Sequence, residues 1–166
     1  MAPGTSSVIS KAVIEEFARV FLRNPGVLFL SEPGGKVVLQ DDALARSIGL
    51  VIDPARSLPD IILVDLDAPG GALLVFVEVV ATDGAIDAAR KVALLTLTRE
   101  AGFKAHQVAF LTPFLDRSQA PVRKSLDTLA WGSFVWFAAE PDKILALHDN
   151  TELQKPLWEL MPQASQ

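Results

Sequence analysis

Cysteine is absent from this 166-residue chain, which excludes a disulfide framework and thiolate chemistry and suits a reducing compartment. Histidine is scarce. His106 and His148 stand alone, with no second histidine at a spacing that would suggest a zinc site. Half the residues are hydrophobic, yet no apolar run approaches membrane-spanning length. The opening MAPGTSSVIS lacks the basic start and apolar stretch of a secretory signal, so a cytoplasmic, membrane-free protein is expected. A surplus of positive charge is also missing. Twenty acidic against fifteen basic residues leave a net charge of −5, which counts against a strongly electropositive nucleic-acid binder but permits a local basic patch.

What is present fits one domain over residues 10–161, with a flexible lead-in at 1–9 and a frayed end at 162–166. Ser10 is a candidate N-cap for a helix with Val13, Phe17, Val20 and Phe21 on one face, ending before Asn24-Pro25. Glu15 and Glu16 in its first turns are a solvated face or auxiliary metal-site carboxylates. VLFLS and KVVLQ flank Glu32-Pro33-Gly34-Gly35 as a hairpin, and a short helix runs from Asp41 or Asp42 to about Ile48.

The chain is organised around Leu58 to Lys91. IILVDL and LLVFVEVV, joined by Ala68-Pro69-Gly70-Gly71, are rich in β-branched residues and too short for typical helices, so both read as strands. Alternation puts Leu74, Phe76, Glu78 and Val80 on one face of the second strand, with Val75, Val77 and Val79 opposite. Asp60 sits at the mouth of the first. A glutamate in a strand apolar on both faces needs a cation, because an unpaired buried charge costs several kcal/mol. An arginine satisfies this as half of an ion pair. A divalent metal shared with Asp60 satisfies it as an active site, and hard oxygen ligands favour Mg²⁺ over zinc.

A turn at Ala81-Thr82-Asp83-Gly84 leads to a helix over about Ile86–Glu100, with Ile86, Ala89, Ala93, Leu94 and Leu97 as the stripe toward the sheet. Arg90 falls in that stripe, near the end of the Glu78 strand. It is either a salt-bridge partner of Glu78 or Asp83 or a cation for a phosphate, and Lys91 lies at the stripe's edge. HQVAFLTPF supplies another strand. A helix opened by Asp116-Arg117-Ser118 carries Val122, Leu126 and Leu129 and the most basic cluster, Arg117, Arg123 and Lys124. SFVWFAA and KILALHD form a last hairpin, and Trp131, Trp136 and Trp158 read as packing residues.

Pro59-Asp60, a hairpin and Glu78 on an apolar strand resemble the PD-(D/E)xK nuclease core. LPDIILVDLD, VFVEVVATDG, VAFLTPFLDR and LDTLAWGSFVWFAAEPDKILAL together resemble, over about Ile14 to Asn150, the catalytic domain of the BsuBI/PstI family of type II restriction endonucleases. The resemblance implies an α/β fold with a mixed central sheet flanked by helices, and hydrolysis of double-stranded DNA with Mg²⁺, for which Mn²⁺ can substitute. It implies Asp60 and Glu78 as metal ligands, the Val79 carbonyl as a third oxygen, and Arg90, then Lys91, as the catalytic cation. Val80 stands where the general motif has lysine. Thr82 and Asp83, with Arg117, Arg123 and Lys124, are the DNA-facing candidates. Where the family usually shows threonine and histidine in the turn, this chain has Ala81 and Asp83, so a catalytically silent DNA- or protein-binding member is the alternative. Restriction enzymes of the family carry an N-terminal DNA-binding region with no counterpart here. The expectation is an excised catalytic domain or a shortened relative, acting as a homodimer to cut both strands.

Overall fold

A computed structural model describes residues 4–162. Its frame is a seven-stranded sheet in the order β2-β1-β3-β4-β5-β6-β7. The strands are β1 (Pro25–Glu32), β2 (Lys36–Gln40), β3 (Ile61–Asp65), β4 (Leu73–Val77), β5 (Val108–Phe114), β6 (Ser133–Phe137) and β7 (Ile144–Leu147). The pairs β4–β5 and β5–β6 are parallel and the others antiparallel, so the sheet is mixed, as expected from the sequence.

The period-2 alternation of β3 and β4 sorts their side chains into two cores. Ile62, Val64, Leu74 and Phe76 pack with Leu94 on one face, while Ile61, Leu63, Val75 and Val77 pack with Ile9, Val13 and Phe17 on the other. Each such fully buried aliphatic side chain contributes about 1.5–3 kcal/mol. Both central strands are therefore covered on both sides.

The N-terminal helix starts earlier than the sequence suggested. α1 (Thr5–Ala12) passes through a π-helical segment (Val13–Phe17) into α2 (Ala18–Phe21). Ile9 is fully buried against the sheet, which draws Thr5–Ile9 into helix and displaces Ser10 as the cap. Residues 1–3 of the expected lead-in and 163–166 of the expected frayed end lie outside the described residues. The π turn adds a residue to the repeat, so the buried face passes from Phe17 to Ala18 and Val20 comes to the surface.

α3 (Asp42–Ser47) is capped by Asp41, whose side chain accepts from Leu44 N–H. α4 (Ala88–Glu100) is capped by Asp87 and stops at Gly102, whose φ of +88° ends the helix in the left-handed conformation. Its buried face is Leu94 and Thr98, whereas Ala89 and Ala93 are exposed. Alanines contribute little burial, so the larger leucines set the rotation of the helix. α5 (Ala120–Ser125) begins after an Asp116 turn, and Leu126 beyond it is exposed rather than packed. Two further short helices, α6 (Asn150–Leu153) and α7 (Leu157–Leu160), close the described chain.

Trp136 is fully buried, meets Phe17 edge-on at 5.6 Å and donates its indole N–H to the Pro141 carbonyl. Trp131 and Trp158, by contrast, are 64% and 68% exposed and are not packing residues. No helix among the described residues is long and apolar enough to cross a membrane.

Candidate active site

The antiparallel register of β3 on β4 pairs Ile61 with Val77, so the next residues outward, Asp60 and Glu78, stand opposite one another. Glu78 lies one position past the end of β4, but its N–H still donates to the Leu111 carbonyl and continues the sheet. By alternation both acids follow the face of Ile62 and Phe76. Asp60 is held from both ends. Its carbonyl accepts from Ser31 N–H and its Oδ2 accepts from Val79 N–H at 2.8 Å.

These carboxylates line a cleft of about 330 Å³. One wall is Val79 and Ala81–Gly84, and the other is Ser6 and Ser10 of α1 with Ser31 and Pro33 of the β1–β2 hairpin. Thr82 and Asp83 thus line the same cleft as the acid pair. The serines were missed: Ser6 reads as part of a polar lead-in until the burial of Ile9 makes it helical, Ser10 reads as a cap, and Ser31 as an ordinary strand residue. Glu15 borders an adjoining cleft beside Lys11 and does not line the one that holds Asp60 and Glu78.

Electrostatics mark the pair as cation-seeking. Burial raises the Glu78 carboxyl to about 7, the Arg90 charge opposes this and the Asp60 charge adds to it. Burial also raises Asp60, against the Val79 N–H and the Arg90 charge. Two raised, facing carboxylates keep a proton more readily than free acids do, and a cation in the cleft would take that proton's place. Both carboxylates are hard oxygen donors, which fit a divalent cation. They are few: among the described residues no group of three or more Asp, Glu, His or Cys converges on one point.

Arg90 reaches the site. Its Nε donates to Glu78 Oε1 at 2.6 Å and its Nη2 lies at the same distance from that oxygen, while Oε2 accepts no hydrogen bond from Arg90. Nη1 donates to the carbonyl and hydroxyl of Ser57, each at 3.0 Å, and Nη2 to the Leu58 carbonyl at 2.9 Å. Lys91 does not reach it. Its Nζ donates to the Trp131 carbonyl at 2.9 Å and lies over the Phe110 ring, because one step along α4 turns its stem toward β5 and the Trp131–Gly132 turn.

Arg117, Arg123 and Lys124 stay outside the cleft. Arg117 pairs with Glu140, Arg123 Nη1 donates to the Ser118 carbonyl, and all three are exposed. They follow the C-terminal end of β5, which is parallel to β4, so they share the sheet edge on which Glu78 sits. Val80 is 1% exposed and packs with Phe114, Val135 and Phe137, so no cation comes from the strand.

The family model for the BsuBI/PstI restriction endonuclease domain matches residues 1–150. The chain belongs to the BsuBI/PstI restriction endonuclease family. It is 29% identical over 145 residues to the type II restriction enzyme BsuBI of Bacillus subtilis, covering 87% of this chain and 43% of that enzyme. The solved structure of the SdaI restriction endonuclease is similar at a TM-score of 0.75 and 25% identity, over 94% of this chain and 46% of that one. The chain therefore spans less than half the length of these two relatives. The seven-stranded mixed sheet is the fold of this BsuBI/PstI domain.

Proposed function

We propose that this chain is the catalytic domain of a type II restriction endonuclease and hydrolyses phosphodiester bonds of double-stranded DNA with Mg²⁺. The observation that carries the reading is the Asp60–Glu78 pair, opposite in register and facing one cleft. Asp60, Glu78 and the Val79 carbonyl would hold the ion. When bound, Mg²⁺ supplies charge neutralisation at the scissile phosphate and a more acidic water. The chain's own residues fix the geometry. Val79 N–H orients Asp60 through Oδ2, and the Leu111 carbonyl holds the Glu78 backbone in line with β5. The Arg117–Lys124 cluster on the same sheet edge offers phosphate contacts that position a duplex without reading its sequence. Cutting both strands of a palindrome takes two such sites, so a homodimer in the cytoplasm is the working assembly.

Plasmid nicking with Mg²⁺ or Mn²⁺ tests this. Asp60→Ala and Glu78→Ala should each reduce nicking to background, and undiminished activity in both would exclude the site. A silent DNA-binding member is the second reading, favoured by buried Val80 where the nuclease motif has lysine. Duplex binding by the wild-type chain, without nicking in either metal, would support it.

A further inference from the structure

On the nuclease reading, Arg90 has the charge and place of a phosphate-facing cation, but its hydrogen bonds assign it elsewhere. A guanidinium carries five N–H groups in a fixed planar fork. Here Nε donates to Glu78 Oε1, Nη1 to the Ser57 carbonyl and hydroxyl, and Nη2 to the Leu58 carbonyl while lying in ion-pair contact with Glu78 Oε1. Four hydrogen bonds inside the protein engage all three nitrogens, so a phosphate can be gripped by a pair of N–H groups only if an existing bond breaks. The acceptors come from two segments distant in sequence. Ser57 and Leu58 lead directly into Pro59-Asp60, whereas Glu78 directly follows the neighbouring strand β4. Arg90 N–H is itself fixed by the Asp87 cap, which anchors the base of the side chain.

We infer that Arg90 is a positioning residue that ties the segment delivering Asp60 to Glu78 and so sets the spacing of the two carboxylates, rather than contacting the DNA. The inference rests on the metal-dependent nuclease reading. Lysine cannot replace it: an ammonium offers three donors from a single point and cannot span the Ser57 carbonyl, the Leu58 carbonyl and Glu78 together.

The test uses the full chain as wild type, Arg90→Lys, Arg90→Gln and Ser57→Ala, the last removing one hydroxyl acceptor. Mn²⁺ binding is measured by calorimetry, and duplex DNA affinity in Ca²⁺ is measured across a salt series. Outer-shell partners of metal ligands typically account for about 10–100-fold in metal affinity. A positioning role gives Mn²⁺ binding weakened by that order in both Arg90→Lys and Arg90→Gln, with a small loss in Ser57→Ala. It also leaves the slope of log affinity against log salt unchanged. A phosphate contact gives the opposite result: Arg90→Lys keeps Mn²⁺ binding, and Arg90→Gln lowers the salt slope by about 1. Thermal melts separate either from unfolding; if both Arg90 variants melt below the assay temperature, Ser57→Ala decides, and unchanged Mn²⁺ affinity there overturns the inference. Wild type that binds neither Mn²⁺ nor DNA removes the nuclease reading and this inference together. Wild type that binds both, with Arg90→Lys unaltered, removes this inference alone.

Discussion

Glu78→Gln should make the metal-free protein more stable above neutral pH, even though it removes half of an ion pair. The Glu78 carboxyl sits at about 7 in the folded chain against an ordinary 4.5. Between those values the folded state keeps a proton that the unfolded chain releases, so the folded state binds more protons and stability falls as pH rises. A shift of that size is worth roughly 3 kcal/mol, at 1.36 kcal/mol per unit. The raised Asp60 acts in the same direction. Glutamine imitates the protonated acid, so the variant should match wild type near pH 4 and exceed it by up to about 3 kcal/mol at pH 8. Urea unfolding followed by the fluorescence of buried Trp136 reads this directly. Mg²⁺ at a hundred times its Kd should return about 2.7 kcal/mol to wild type and nothing to the variant. A variant less stable than wild type at pH 8, or a wild-type stability flat from pH 5 to 8, would refute the argument.

Lys91→Ala should leave nicking unchanged and cost about 1 kcal/mol in urea, since it loses one hydrogen bond to the Trp131 carbonyl and a contact with Phe110. Asp65→Ala should cost about 2–4 kcal/mol, because it strands the N–H groups of Arg23, Asn24 and Asp67. Burial would raise the Asp65 carboxyl, but those N–H groups outweigh it and hold it low, so wild type keeps this stability above the ordinary 3.8 and loses it on acidification below that value. The difference between the two proteins in an acid titration checks that sign. Trp136→Ala should cost about 3–5 kcal/mol by opening a cavity against Phe17, seen as a fall in the urea midpoint.

The strands and the acid pair were legible in the sequence because their signals are local. Period-2 alternation, Gly-Gly and Pro-Gly turns and β-branched runs place β3 and β4 without knowledge of the rest of the chain. A hairpin then brings Asp60 opposite Glu78 by register. The N-terminal face was only half legible, because a π turn shifts its periodicity and because Ile9 helps to form the helix only once it has a sheet to bury against. The tertiary structure alone decided which cation meets Glu78, where Lys91 points, and that Ser6, Ser10 and Ser31 wall the cleft. Arg90 and Lys91 are adjacent, long and alike in charge. Which of them turns to the carboxylates depends on the acceptors at Ser57 and Leu58, more than thirty residues away, and on the rotation of α4 set by its leucines. A strand's faces follow from its own alternation, but a flexible side chain's partner is fixed only by whatever the fold brings beside it.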